Sequence, residues 1–323
     1  MNICAQRRPI WVALIGLIVI PGAAGADQIV AQSSVSVQPR VRSSPPRSDF
    51  RVDSNMVLVP VSVTDLRNRA VTGLEREAFR VFEGNQEQKI IHFSSDDAPL
   101  SVGLVFDSSG SMADKLHQSR AAVAAFLKAA NPDDEFFLVD FSDEAHLAVP
   151  FTRATGEIQD RLMVTGSSGK TALLDAVCMA LQYMRTARYS RRALLVISDG
   201  GDNDSRYTEA EIGDLVRESD VWIYALGIYG RGQPILGEEE LAGPRLLTKL
   251  AEQTGGRQFA VRYPNELPEI AAQVGLELRN QYILGYTPVS AQPDGKYRRV
   301  RVKLVERRDL HVSWRRGYYA SAQ

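Results

Sequence analysis

Hydrophobic residues follow two different spacings along the chain. From Val52 to Phe93, and again after Gln281, apolar and polar residues alternate, which is typical of strands with one buried face. Between Leu100 and Asn280, continuous β-branched runs are separated by segments whose apolar residues recur every three or four positions. Continuous runs indicate strands covered on both faces, and strands that alternate with helices favour a mostly parallel sheet. The pattern therefore predicts an α/β unit with a β segment on either side.

The middle region supplies the strands and helices of this α/β unit. The predicted strands are SVGLVFD, DEFFLVDFS, AHLAVPF, RRALLVISD, VWIYALGI and RQFAV. The predicted helices cover residues 114–130 and 172–186, the stretches TEAEIGDLVRE and RLLTKLAEQTGG, and residues 266–280. Thr208 followed by Glu211 is a capping-box pattern, and Gly255 is a helix-stop signal. This order predicts a Rossmann-like, doubly wound sheet with helices on both faces.

The two β segments have too few strands to fold separately. We therefore predict one small, sandwich-like β domain built from residues 51–98 and 281–323, with the α/β domain of residues 99–280 inserted into it. Pro60 interrupts the alternating stretch VLVPVSV and predicts an edge strand, because proline has no N–H to donate. The pair Gly84-Asn85 predicts a turn between two strands in FRVFEGNQEQKIIHF.

The first 50 residues predict export rather than a folded domain. Residues 1–26 match a cleavable signal peptide, with a short basic region, an apolar core and a small-x-small cleavage site. Residues 27–50 are rich in Ser, Arg and Pro, which predicts a flexible linker. No later stretch is apolar enough to span a membrane, so we expect no stable membrane span after cleavage. The sequence thus predicts a secreted or periplasmic protein.

The stretch LVFDSSGSM places one carboxylate and two hydroxyls, Asp107, Ser109 and Ser111, where a strand ends and a helix begins. A hydrolase nucleophile requires G-x-S-x-G, which this stretch lacks. A phosphate-binding loop is excluded because Val164 stands where glycine is required ahead of the later GKT. A calcium loop in DGGDNDSRY lacks its required glycine, since that position is Tyr207. A divalent-metal site and a helix cap therefore remain.

A metal site accounts for more of the sequence than a helix cap does. Ligands of open α/β sheets bind at the carboxyl edge of the strands, where Asp107, Ser109 and Ser111 are expected. Thr171 precedes a predicted helix and Asp199 ends a predicted strand, which adds two more oxygen-bearing side chains at that edge. Hydroxyl and carboxylate oxygens suit Mg²⁺, Mn²⁺ or Ca²⁺ better than zinc. A helix cap would explain one of these oxygens and leave four unexplained.

These five residues resemble the metal-ion-dependent adhesion site of von Willebrand factor A (VWA) domains. That motif combines D-x-S-x-S, a distant Thr, and a strand-terminal Asp followed by Gly, and the resemblance extends over the α/β unit. The chain also resembles bacterial secreted VWFA-related proteins, in which a β segment precedes the VWA domain. The resemblance implies that Ser109, Ser111 and sometimes Thr171 bind the ion directly. It implies that Asp107 and Asp199 bind it directly or through water.

The resemblance also implies a binding function. A divalent cation, with Mg²⁺ preferred over Mn²⁺ or Ca²⁺, would take its last ligand from an Asp or Glu of a partner protein. We therefore predict a secreted or periplasmic adhesion protein rather than an enzyme. Two alternatives stay open, namely a metal-assisted hydrolase that uses the same ion and a metal-free scaffold protein of the cell envelope. The family further suggests that the last helix, residues 266–280, couples the metal site to the β domain.

Charge changes this prediction little. The formal net charge is −1, which gives no general attraction to nucleic acid, and we expect no nucleic-acid partner. The basic stretch KYRRVRVKLVERRDLHVSWRR, residues 296–316, alternates charged and apolar residues. This alternation predicts the solvated face of an antiparallel sheet, and an anionic surface partner is the alternative.

Overall fold

The computed structural model describes residues 56–229, 238–289, 294–305, 307 and 309–320. The predicted signal peptide and linker, residues 1–26 and 27–50, lie outside these residues. In the described part of the chain, no helix combines the length and the apolar character needed to cross a membrane.

Strands and helices account for most of the described residues. The strands are β1 (Val57–Thr64), β2 (Phe79–Glu83), β3 (Gln86–Gln88), β4 (His92–Ser94), β5 (Ser101–Asp107), β6 (Glu135–Phe141), β7 (Ala145–Thr152), β8 (Arg192–Ser198), β9 (Val221–Ile228), β10 (Gln258–Val261), β11 (Tyr282–Tyr286), β12 (Tyr297–Leu304), β13 (His311–Trp314) and β14 (Gly317–Tyr319). The helices are α1 (Leu116–Lys128), α2 (Thr155–Val164), α3 (Leu173–Met184), α4 (Glu209–Glu218), α5 (Glu238–Thr254) and α6 (Leu267–Arg279).

A six-stranded sheet with the order β10-β9-β8-β5-β6-β7 forms the centre of the α/β unit. Its strands pair in parallel except β7, which pairs antiparallel with β6 at one edge. β5 lies between β8 and β6, and Leu104 is in register with Leu195 and Leu138. Every residue of β5 and of β9 is buried, which explains why both segments are continuous apolar runs.

Helices cover both faces of this sheet. Helices α1, α2 and α6 pack on one face, where Val123 and Val274 join one apolar cluster. Helices α3, α4 and α5 pack on the other, where Val177 and Leu250 join a second cluster. The prediction of a doubly wound, mostly parallel α/β fold is therefore confirmed.

Two four-stranded antiparallel sheets combine strands from before and after the α/β unit. Their strand orders are β13-β1-β11-β4 and β14-β12-β2-β3. The apolar faces of the two sheets form one core that includes Val61, Phe79, Tyr282 and Val302. The rings of Phe79 and Tyr282 lie 5.0 Å apart between centroids in this core. The layers are thus arranged as a small sandwich beside the six-stranded sheet.

The basic stretch contains the whole of β12, and this strand has the predicted polarity. Val300 and Val302 are buried, whereas Arg299, Arg301 and Lys303 are exposed. The guanidinium of Arg301 and the ammonium of Lys303 lie over the ring of Phe82 on the neighbouring strand β2. The prediction of a solvated sheet face is confirmed for this strand.

The prediction that the strand with Pro60 is an edge strand is wrong, because β1 lies between β13 and β11. β13 pairs only with Val61–Thr64, so Pro60 lies in the half of β1 that β13 does not reach. The missing N–H of Pro60 therefore interrupts no hydrogen-bonded ladder on that side.

Two other segments differ from the prediction. The stretch expected to contain two strands contains three, because β4 leaves the β2–β3 hairpin and pairs with β11 in the other sheet. Helix α2 was not predicted, since its sequence TGEIQDRLMV buries only Ile158 and Leu162 and has a weak apolar stripe. Neither difference changes the edge of the sheet where the candidate site lies.

Candidate metal centre

The first loop of the candidate site follows β5. Asp107, the last residue of β5, and Ser109 are fully buried, whereas Ser111 is exposed. Ser109 precedes a short 3₁₀ turn, Gly110–Lys115, that leads into α1. The side chain of Met112 is fully buried and anchors this turn against the sheet. The hydroxyl oxygens of Ser109 and Ser111 lie 3.1 Å apart, so both point into the same small volume.

The Asp107 carboxylate is held by two hydrogen bonds. Its Oδ1 accepts from the backbone N–H of Ser109 at 2.9 Å, and its Oδ2 accepts from the hydroxyl of Ser198 at 2.5 Å. Burial raises the pKa of Asp107 to about 6 even though hydrogen bonds from Ser109 and Ser198 lower it, and the charge of Asp199 raises it further. This carboxylate is fixed in position, and its burial disfavours its ionised form.

The second loop precedes α3 and carries Thr171. It contacts the first loop directly, since the N–H of Gly110 donates to the carbonyl of Gly169 at 3.0 Å. Gly169 has a φ of +79°, in the region that favours glycine, and this conformation turns the chain toward the first loop. Thr171 is buried, and its hydroxyl donates no hydrogen bond to any residue that the structure describes. The Thr171 hydroxyl is therefore free to bind a cation.

The third loop follows β8 and carries Asp199. The preceding residue, Ser198, donates to Asp107, which joins this loop to the first. Asp199 Oδ2 accepts from the ammonium of Lys115 at 2.9 Å, and its Oδ1 accepts from the N–H of Gly201 at 3.4 Å. Only 16% of the Asp199 side chain is exposed, so this second carboxylate is also largely withdrawn from solvent.

The structure brings the three loops with all five predicted residues together at one edge of the sheet. The first loop contacts the second through Gly110 and Gly169, and it contacts the third through Asp107 and Ser198. The second and third are joined because the N–H of Thr171 donates to a side-chain oxygen that belongs to the segment just after Asp199. That these residues bind an ion stays a prediction.

The donor set fits a hard divalent cation. It consists of two carboxylates and three neutral hydroxyls, all of which are oxygen donors of the kind that Mg²⁺ and Ca²⁺ prefer. Among the described residues, no group of three or more His, Cys, Asp or Glu side chains could hold a metal ion, so a thiolate- or imidazole-rich centre has no support there. The chemistry of the edge therefore favours magnesium or calcium over zinc.

Three residues that the sequence prediction missed hold this site together. The hydroxyl of Ser198 donates to the carboxylate of Asp107, and the ammonium of Lys115 donates to that of Asp199. Asn203 accepts a hydrogen bond from the N–H of Thr171 through its side chain and donates one to the carbonyl of Thr171 through its own N–H, both at 2.9 Å. Asn203 lies in the stretch DGGDNDSRY, which sequence alone marks only as a polar loop. Asn203 and Lys115 act across the fold, so their roles depend on contacts that local spacing does not encode.

Comparison with known proteins agrees with this architecture. Residues 102–201 match the family model of the von Willebrand factor type A domain, a range that includes all five predicted positions. An uncharacterized protein of Borreliella burgdorferi is 23% identical over 198 residues, which cover 54% of this chain and 57% of that protein. Inter-alpha-trypsin inhibitor heavy chain H4 of Bos taurus is 27% identical over 183 residues, which cover 51% of this chain and 19% of that protein. The matches thus cover about half of this chain and less than two thirds of either relative.

A solved structure supports the fold at lower sequence identity. A von Willebrand factor type A protein from Catenulispora acidiphila aligns with a TM-score of 0.50 and 15% identity, covering 84% of this chain and 65% of that one. At this identity the likeness concerns the fold. The strand order β10-β9-β8-β5-β6-β7 and the family match over residues 102–201 agree with it, so the central α/β unit of this chain has the von Willebrand factor type A fold.

Proposed function

We propose that this chain is an exported binding protein whose VWA domain captures an acidic group of a partner protein through a divalent cation. VWA domains mediate protein–protein interactions and commonly bind such an ion. Asp107, Ser109, Ser111, Thr171 and Asp199 would hold it, with Mg²⁺ preferred and Mn²⁺ or Ca²⁺ as alternatives. The export step rests on the N-terminal signal-peptide pattern of the sequence.

The convergence of three hydroxyls and two carboxylates from separate loops is the observation that carries this proposal. Each loop is tied to another by hydrogen bonds, so the donors are positioned before any ion binds. Because hydroxyls are neutral, a dication bound there would keep much of its charge and attract a carboxylate of the partner. Such a carboxylate belongs to an exposed Asp or Glu side chain.

We propose binding rather than catalysis at this site. Asp107 is fully buried and accepts hydrogen bonds on both oxygens, so it is not placed to take a proton from a substrate. The carboxylate of Asp199 is paired with Lys115. Mg²⁺-dependent turnover of a generic ester or phosphate substrate, lost in Asp107→Asn, would support a hydrolase instead.

Affinity capture from the native cell envelope tests the proposal. The full chain, Asp107→Asn and the distant control Thr186→Val are immobilised and exposed to envelope extract with Mg²⁺ or with EDTA. We expect the unmodified chain and Thr186→Val to retain one partner in Mg²⁺ and release it in EDTA, and Asp107→Asn to retain none. Capture of the same partner in EDTA, or by Asp107→Asn, would contradict the proposal.

A further inference from the structure

One predicted metal ligand is already paired with a positively charged side chain of the protein itself. The ammonium of Lys115 lies 2.9 Å from Asp199 Oδ2. The side chains of Lys115 and Asp199 are only 17% and 16% exposed. Charges that are partly withdrawn from water interact more strongly than exposed ones, so this ion pair differs from an ordinary surface pair.

The position of Lys115 in the chain links it to the site. Lys115 is the last residue of the 3₁₀ turn that begins beside Ser109 and contains Ser111. Its carbonyl accepts from the hydroxyl of Ser119 at 2.9 Å, which fixes the turn at the start of α1. The loop that presents two predicted hydroxyl ligands therefore also presents a positive charge to a predicted carboxylate ligand.

We propose that Lys115 is a built-in competitor for the divalent cation at Asp199. Its ammonium satisfies the carboxylate when no ion is bound, and a dication that uses Asp199 must weaken this pair and bear the repulsion of the lysine. Lys115 therefore sets the affinity of the site for its ion, and through it the ion concentration at which a partner is captured. This inference rests on the proposed function, because it assumes that Asp199 belongs to a cation site.

The consequence is an opposite effect of Lys115 on the two states of the protein. Without a dication, Lys115 stabilises the fold, since its removal leaves the Asp199 carboxylate with only the Gly201 N–H as a partner among the described residues. With a dication, Lys115 opposes binding, since like charges within a few ångströms disfavour one another. A lysine with a purely structural role would stabilise both states equally.

Calorimetric titration of the chelator-treated full chain with MgCl₂ tests this inference. The neutral variants are Lys115→Met and Lys115→Gln, of which the second keeps an N–H donor, and Lys115→Arg retains the charge. Lys128→Met is the matched control, because Lys128 is an exposed lysine at the far end of α1, the helix that follows Lys115. We expect Lys115→Met and Lys115→Gln to bind Mg²⁺ about tenfold more tightly than the unmodified chain. We expect Lys115→Arg and Lys128→Met to stay within about threefold of it.

Thermal unfolding in EDTA and in saturating Mg²⁺ gives a second readout. We expect Lys115→Met to have a lower Tm than Lys128→Met in EDTA. We expect the rise in Tm caused by Mg²⁺ to be larger for Lys115→Met than for Lys128→Met. If the unmodified chain binds Mg²⁺ and the neutral Lys115 variants bind it equally or more weakly, the competitor role is wrong while the proposed function stands. Tighter binding by Lys115→Arg as well would also overturn it, because the charge would then not be responsible. If no variant binds Mg²⁺, the proposed function fails together with this inference.

Discussion

At the scale of single residues, Asp107 carries the largest electrostatic cost of the site. Its carboxylate is fully buried at the end of β5, and burial raises its pKa from 3.8 to about 6. A carboxyl group with a raised native pKa favours folding while it is protonated. Its contribution to stability is therefore greatest below the unfolded pKa, and it is lost as pH rises through about 6.

We predict that Asp107→Asn stabilises the metal-free protein at neutral pH and above. Above pH 6 the unmodified chain bears the cost of a buried, ionised carboxylate, about 3 kcal/mol, and the amide avoids this cost because it cannot ionise. Urea unfolding in EDTA at pH 4.5 and at pH 8 measures this. The variant should gain more stability relative to the unmodified chain at pH 8 than at pH 4.5. A variant that is less stable at both values would show that the hydrogen bonds of Asp107 outweigh its burial.

Residue spacing predicted which side chains meet at the candidate site but not the residues that support them. Asp107, Ser109 and Ser111 form one local pattern, and the strand-end positions of Asp107 and Asp199 follow from the apolar runs before them. Ser198 contacts Asp107 because β5 and β8 pair in parallel with Phe106 opposite Ile197, a register that no local pattern specifies.

At the scale of elements, helix α6 is joined to the sandwich by a buried carboxylate. Glu277 is 1% exposed, and its Oε1 accepts from the hydroxyls of Ser62 on β1 at 2.8 Å and Tyr224 on β9 at 2.9 Å. Its Oε2 accepts from the guanidinium of Arg257, which also donates to Asn68 at 2.8 Å. One side chain of α6 therefore connects the six-stranded sheet with the sandwich.

Replacing Glu277 should test how much this connection contributes. We predict that Glu277→Ala lowers the free energy of unfolding by about 3 kcal/mol or more, since Arg257 and two hydroxyls lose a buried partner. Glu269→Ala, at an exposed position of α6, should change it by less than about 0.5 kcal/mol. Urea unfolding compares the two variants, and similar values for both would mean that the Glu277 network adds little to the stability of the fold.

Elements with strong local signals were predicted well, and those that depend on distant contacts were not. Thr208 and Glu211 form the predicted capping box of α4, and α5 ends at Thr254 before Gly255, which has a φ of +89°. Glu277 lies in a helix whose apolar face was predicted, but Ser62 is 215 positions away in the sequence, so the burial of this acid was not predictable.

At the scale of the whole molecule, a continuous series of contacts joins the candidate site to the sandwich. The turn that carries Ser111 leads into α1, and α1 packs closely on α6, where a side-chain carbon at Gly275 would lie 3.2 Å from Cβ of Ala129. Helix α6 is followed after two residues by β11, which pairs with both β1 and β4. A change at the site can therefore reach the sandwich through packed elements.

Hydrogen exchange should reveal this route if it is used. We predict that Mg²⁺ slows amide exchange in residues 267–286, which span α6 and β11, in addition to the loops of the site. The same peptides of Asp107→Asn, with and without Mg²⁺, serve as the control. If amide exchange in residues 267–286 of the unmodified chain does not change with Mg²⁺, the effect of the ion is limited to the loops of the site.

The most direct test of the central claim is the affinity of the chelator-treated full chain for Mg²⁺, measured calorimetrically beside Thr171→Val and Thr186→Val. Valine preserves the shape of threonine and removes only the hydroxyl. Thr171 is a suitable position because it lies in a different loop from the D-x-S-x-S motif. We predict one Mg²⁺ per chain, binding at least about tenfold weaker in Thr171→Val, and unchanged binding in Thr186→Val. No Mg²⁺ binding by the unmodified chain, or equal binding by Thr171→Val, would contradict the claim that these three loops form a cation site.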